Sequence, residues 1–255
     1  MPLAWLKEHQ VDYLCLSCNM DGEIYDKEHV IEDKEFYRRM RAGSMPTTSQ
    51  VNPTAAEEIF ESVLKEGKDV LYLAFSSGLS GTYNSCRVAA EELRDSYPDR
   101  KLEVIDTLAA SMGEGLLVWY AVKMKEEGKS MEEVAQWVKE NILHTGHVFT
   151  VDDLNHLYRG GRVSKATAVL GTLANIKPML HVDNEGKLIP VGKVRGRKKS
   201  LATLVSMMEE RVGTYRDKNE IVLISHGDCE EDAAYVAKLV EEKFGITNVM
   251  MNPIG

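Results

Sequence analysis

Cysteine, positive charge and long apolar runs are all scarce in this chain, and each scarcity excludes a class of protein. Four cysteines in 255 residues, Cys15, Cys18, Cys86 and Cys229, are too few and scattered for a disulfide framework. Cys15-Leu-Ser-Cys18 has CxxC spacing but sits inside a strand-like run with no partner pair, so structural thiols are expected there. No apolar stretch approaches the roughly 18 residues of a membrane span. Lys and Arg number 31 against 40 Asp and Glu, a net charge of −9, which argues against broad affinity for nucleic acid or anionic membranes. The start of the chain lacks the charged-then-apolar pattern of a secretory signal, so a soluble cytoplasmic protein is expected. There is no Gly-x-x-x-x-Gly-Lys loop and no Mg²⁺-binding carboxylate cluster. His144, His147 and His156 have no paired-ligand spacing, and no metal or cofactor is expected.

What is present centres on Phe75-Ser-Ser-Gly-Leu-Ser80-Gly-Thr-Tyr83. The apolar run Val70–Phe75 leads into it and reads as a buried strand. Tyr83, Cys86, Ala90 and Leu93 follow at helical spacing. A turn with four hydroxyls and two glycines at a helix N-terminus offers N–H and O–H groups to an anionic oxygen. It holds no basic residue, so a carboxylate suits it as well as a phosphate; a connection that only caps the helix is the other reading. Ser80 is not flanked as the nucleophile of a Gly-x-Ser-x-Gly elbow, which disfavours a covalent hydrolase.

The rest of the first part alternates strand, polar loop and helix. A short helix is expected over Met1–Gln10, a strand over Val11–Cys18, a turn at Asp21-Gly22, and a helix over Asp33–Ala42 with Asp33 as N-cap. The loop Met45–Gln50 is rich in hydroxyls, and Asn52-Pro53 opens a helix burying Ile59, Phe60, Val63 and Leu64. Leu102–Asp106 is a strand feeding the polar loop Thr107–Gly115 and an apolar helix; Ser130-Met-Glu-Glu133 is a capping box. Asp106 could bind a metal, but loop hydrogen bonding is the better reading. This alternation marks a parallel sheet covered on both faces, with ligands bound beyond the carboxyl ends of its strands.

The character changes near His147, and two domains are expected to meet there: 1–146 and 147–255. A strand over His147–Val151, a short helix over Asp152–Tyr158 and a helix over Lys165–Leu173 are expected. Strands Met179–Val182 and Leu188–Val191 flank the Asn184-Glu-Gly186 turn. Lys193–Lys199 is a basic run, read as a partner-docking or phosphate-facing patch or as a solvated turn, and Ser200 is the expected cap of the next helix. Strand Ile221–Ser225 leads to His226, for which a helix-start or packing role is the better reading and a place in the ligand site the other; a helix to Phe244 and a strand near Val249 close the chain.

Six motifs stand in order: Pro46-Thr-Thr-Ser-Gln50, Ser77-Gly-Leu-Ser-Gly-Thr-Tyr83, Val104-Ile-Asp106 with Ala110-Ser-Met-Gly113, Gly160-Gly-Arg162, Asn175-Ile-Lys-Pro178 and Lys193-Val-Arg-Gly-Arg-Lys-Lys199. Together they closely resemble the DegV family, fatty-acid-binding proteins that serve bacterial fatty acid kinase. The resemblance implies an α/β, two-domain DegV-like fold: a parallel sheet with helices on both faces, plus a smaller α/β domain with a mixed sheet. It implies a long-chain fatty acid held between the domains, with its carboxylate presented to a separate ATP-dependent kinase subunit. The chain would then be a lipid-binding accessory protein and no enzyme, with transient membrane contact allowed. A phosphotransfer enzyme acting alone at the Ser/Gly-rich turn is the alternative. Carried over by position, Thr48 and Ser80 would hold the carboxylate and Gly81 would lend its N–H, while Arg162 and Arg195 would face the kinase or the acyl phosphate. Two family features have no counterpart here: an initial strand with an Asp-Ser/Thr loop, and a Gly-Thr-His-Thr-Gly segment beyond Asn252-Pro-Ile-Gly255.

Overall fold

The protein is described by a computed structural model over residues 1–152, 154–165 and 175–254. Its contacts divide into two compact units, Met1–Ile142 and Leu143–Ile254.

The first unit opens with helix α1 (Leu3–Glu8), which buries Leu6. Strands β1 (Ser17–Met20) and β2 (Glu23–Tyr25) form an antiparallel hairpin. Its turn places Asp21 and Gly22 at positive φ, and the Asn19 side chain accepts the Gly22 N–H at 3.2 Å. Of the strand expected over Val11–Cys18, only Ser17 and Cys18 enter a ladder. The preceding Leu14 and Leu16 pack against the core instead, so that apolar run reflects burial without pairing. Helix α2 (Asp33–Arg41) starts one residue beyond its N-cap, Glu32; Asp33 is the first helical residue and not the cap. Strand β3 (Thr47–Ser49), inside what the sequence presents as a loop, pairs antiparallel with β1 and sets Thr48 opposite Cys18.

Helix α3 (Pro53–Lys65) begins at Asn52, whose side chain accepts the Thr54 N–H, with proline at the first position where no N–H is needed. Strand β4 (Val70–Ala74), helix α4 (Thr82–Ser96) and strand β5 (Leu102–Asp106) form a parallel β-α-β unit. Strand alternation sorts the side chains between two cores. Val70, Tyr72, Leu102 and Val104 face α3 and α4, where Phe60 is 2% exposed. Burying that ring is worth roughly 1.5–3 kcal/mol. Leu71, Leu73 and Ile105 meet helices α5 (Met112–Glu126) and α6 (Met131–Asn141) on the other face. The capping box opening α6 is complete: Ser130 accepts the Glu133 N–H while the Glu133 carboxylate accepts the Ser130 N–H.

In the second unit, β6 (Val148–Thr150) is followed by helix α7 (Asn155–Arg159). The expected helix over Lys165–Leu173 lies, apart from Lys165, outside the described residues, as does Asp153. Strands β7 (Ile176–Val182) and β8 (Leu188–Arg195) make an antiparallel hairpin with β6 on the other side of β7. Both strands run longer than expected, because the basic run through Lys193 and Arg195 continues the ladder as far as the Ile176–Arg195 pair. Helix α8 (Arg197–Val212) begins directly after Gly196, at φ 93°. Ser200 is therefore inside the helix: it is fully buried and donates to the Arg197 carbonyl. Strands β9 (Val222–His226) and β10 (Val249–Pro253) pair in parallel around helix α9 (Glu230–Phe244). The ladders of this unit thus divide into an antiparallel triple and a parallel pair. Across the described residues no helix is long and apolar enough to cross a membrane.

Candidate functional site

Because β4 and β5 run in parallel register, their carboxyl ends, Ala74 and Asp106, lie side by side. The loops leaving them are stitched together. The Thr107 N–H and hydroxyl both donate to the Ala74 carbonyl, at 3.1 and 2.7 Å, and the Ala109 N–H donates to Thr107 Oγ1 at 3.2 Å. In return the Ser76 N–H donates to the Ala109 carbonyl at 2.9 Å. Asp106 Oδ1 accepts the N–H groups of Ser77 and Leu108, each at 3.1 Å. Ser76 and Thr107 are fully buried, so these bonds satisfy groups that water does not reach. The Asp106 carboxylate is thereby committed to loop hydrogen bonding.

The turn between β4 and α4 coils on Ser76, whose carbonyl accepts the Leu79 and Ser80 N–H groups and whose hydroxyl accepts the Gly78 N–H. Ser80 Oγ in turn accepts the Thr82 N–H at 3.2 Å and lies 2.9 Å from Thr82 Oγ1. Ser80 thus bonds locally, as the capping reading expects, while remaining half-buried at the rim. Gly81 is the N-cap residue, at φ −72° and ψ 0°, a conformation any residue adopts. What crowds it is the end of one flexible side chain, Gln50. A Cβ there would come within 1.9 Å of Gln50 Oε1 and 2.7 Å of Gln50 Cδ.

Gln50 ties the segment after β3 to this turn. Its Nε2 donates to Ser85 Oγ at 2.9 Å, and next to it the Val51 N–H donates to Thr82 Oγ1 at 3.3 Å. Thr48 stands two residues before Gln50, exposed on an edge strand with a single ladder partner. The structure therefore joins the segments of Thr48, Ser80 and Gly81 in the Met1–Ile142 unit through Gln50, Val51 and Thr82. Arg162 and Arg195 belong to the Leu143–Ile254 unit. Both are exposed: Arg162 follows α7 and donates to the Gly160 carbonyl, and Arg195 ends β8. His226 ends β9, and its Nδ1 accepts the Cys229 N–H at 3.4 Å, a helix-start contact.

The rim carries one unusual acid. Glu114 lies in the first turn of α5, and burial pushes its carboxyl up to about 8 from an ordinary 4.5. On the α4 face of the sheet, burial raises the Cys86 thiol to about 11, which leaves it an inert packing group. With O–H and N–H donors at a strand end and no cation in the turn, the arrangement can bind a carboxylate by hydrogen bonds, each adding on the order of 1.5–3 kcal/mol to a charged acceptor.

Sequence reasoning did not assign Gln50, Thr82 or Ser85. Gln50 lies just past the end of β3, and its bond to Ser85 joins segments 35 residues apart. The contact of Thr82 with Val51 joins segments 31 residues apart and has no local signature.

Comparisons with known proteins agree with this architecture. The family model described as "Uncharacterised protein, DegV family" matches residues 1–255. A DegV domain-containing protein of Clostridium perfringens is 44% identical over 257 residues, covering 100% of this chain and 88% of the relative. A DegV family protein from Thermus thermophilus, solved under the heading of fatty acid binding, superposes with TM-score 0.83 at 29% identity, over 99% of this chain and 88% of that one. The fatty acid kinase (Fak) B3 protein of Streptococcus pneumoniae, solved loaded with linoleic acid, shares the fold at TM-score 0.84 and 21% identity, over 94% of this chain and 83% of that one. Matched along its whole length by the family model, this chain belongs to the DegV family.

Proposed function

We propose that this protein binds a long-chain fatty acid and presents its carboxylate to a separate ATP-dependent kinase subunit, itself catalysing nothing. The observation that carries the reading is the Ser80–Thr82 turn: hydroxyl and N–H donors at the carboxyl end of β4, cross-tied to the Thr48 segment, with no cation among them. The fatty acid binding of the Thermus relative supports the ligand class, and the Fak B3 neighbour supports the kinase partner. Thr48 and Ser80 hold the carboxylate, and Gly81 supplies its N–H. Neutral donors bind the acid without a full ion pair, which keeps release to a partner fast. The acyl chain supplies most of the affinity, at about 0.8 kcal/mol per buried CH₂. Arg162 and Arg195, exposed cations in a chain of net charge −9, face the partner or the acyl phosphate.

The test is native mass spectrometry of the purified protein, followed by titration of delipidated protein with oleate. The expected result is a co-purified fatty acid and saturable binding that the Thr48→Ala/Ser80→Ala variant weakens. Absence of binding by the unaltered chain refutes the reading. Incubation with ATP and oleate, without any other protein, is expected to yield no acyl phosphate; turnover there would favour an enzyme acting alone.

A further inference from the structure

The buried hydroxyl of Thr82 is unexplained by helix formation alone, since a helix needs no hydroxyl at its first position. Thr82 is 2% exposed. Among the described residues its hydroxyl has two partners, the Val51 N–H at 3.3 Å and Ser80 Oγ at 2.9 Å. A backbone N–H can only donate, so Thr82 Oγ1 accepts from Val51. The Thr82 proton then has one acceptor within reach, Ser80 Oγ; the opposite orientation would leave a buried hydroxyl proton unbonded. Ser80 Oγ also accepts the Thr82 N–H at 3.2 Å, so both of its lone pairs are engaged from the Thr82 side. Its own proton is then the one not used within the turn's contacts with Thr82. The order of donation is Val51 N–H to Thr82 O–H to Ser80 O–H, with each bond polarising the next.

We infer that Thr82 is a positioning residue for the head-group site: by donating to Ser80 it makes the Ser80 hydroxyl an obligate donor, so the turn selects a carboxylate over a neutral alcohol head group. This rests on the reading that Ser80 contacts the head group. A hydroxyl free to rotate can accept from an alcohol as well as donate to a carboxylate. One whose lone pairs are filled can only donate; an alcohol then accepts from it but finds no acceptor there for its own proton, whereas a carboxylate has no proton to place and gains the stronger, charge-assisted bond. Thr82, 2% exposed, acts through Ser80.

The experiment measures oleate and oleyl alcohol affinities of the delipidated full-length chain and of Thr82→Val, Thr82→Cys and Thr82→Ser. The unaltered protein is expected to prefer oleate. Thr82→Val keeps the shape without the hydroxyl, and its oleate affinity is expected to fall about three- to tenfold, the scale of one hydrogen bond. Its affinity for the alcohol should hold or rise. Thr82→Ser restores the donor and should restore the preference. Equal oleate affinity in Thr82→Val, or an equal loss for both ligands, overturns the inference. Should Thr82→Val fail to fold, Thr82→Cys keeps the volume with a poor donor, and an oleate-to-alcohol ratio unchanged from the parent overturns it likewise. Failure of the unaltered chain to bind either ligand would refute the fatty-acid reading itself, whereas binding with an unshifted ratio refutes only the role of Thr82.

Discussion

The close approach of Gln50 to Gly81 allows the link between two segments of the site to be measured. In Gly81→Ala, the new Cβ would stand 1.9 Å from Gln50 Oε1, far inside contact distance, so the carboxamide must withdraw. Withdrawal breaks the Gln50–Ser85 hydrogen bond, worth about 0.5–1.5 kcal/mol. Against this, alanine fits the Gly81 backbone conformation and restricts the unfolded chain, a gain of about 0.4–1 kcal/mol. The single substitution is therefore expected to change stability by less than about 1 kcal/mol. In a Gln50→Ala background the three atoms nearest the new Cβ are gone, and Gly81→Ala should stabilise by the entropic gain. The coupling between the two positions is predicted at about 1 kcal/mol, read from a double-mutant cycle of urea unfolding followed by circular dichroism. Oleate affinity should fall in Gly81→Ala and in Gln50→Ala alike, and no further in the pair. Additive stability changes, with coupling near zero, would refute the close approach of Gln50 to Gly81.

Two other consequences can be checked on the folded chain. In the folded protein the Glu114 carboxyl titrates near 8, above the 4.5 of the unfolded chain, so the folded state holds a proton that unfolding releases. Its contribution to stability is full below about pH 4.5 and is lost as pH rises through 8, by up to about 5 kcal/mol. Melting temperature should drop between pH 5 and pH 9, and Glu114→Gln should flatten the decline; an equal decline in both proteins contradicts the burial argument. Asp106→Ala removes the acceptor of the Ser77 and Leu108 N–H groups and should cost about 1–3 kcal/mol in chemical denaturation, whereas Asp106→Asn keeps one oxygen and should cost less.

Which parts of this were legible in the sequence follows from how local their causes are. The strand at Val70, the Asn52-Pro53 start of α3 and the Ser130–Glu133 box each depend on neighbours within a few residues, and each folds as its pattern implies. The role of Asp106 was legible because a carboxylate at a strand end meets the N–H groups of its own loop. The run at Val11 misled, since apolar residues mark packing and Leu14 and Leu16 pack, partly buried, against the core without a ladder. Ser200 misled for a related reason: a helix start was sought at a hydroxyl, while the backbone turns four residues earlier, at Gly196. Gln50 and Thr82 were illegible as site residues because their bonds join segments that meet only once α3, β4 and α4 have packed.

The central claim is that the turn after β4 grips an ionised head group through Ser80. Oleate labelled with ¹³C at the carboxyl, bound to the delipidated chain, reports that contact directly by NMR. The account predicts one bound resonance that resists protonation to below the ordinary carboxylate range, because donors favour the charged form, and that shifts and titrates normally in Ser80→Ala. A bound carboxyl that titrates like the free acid, and is indifferent to Ser80→Ala, would contradict it.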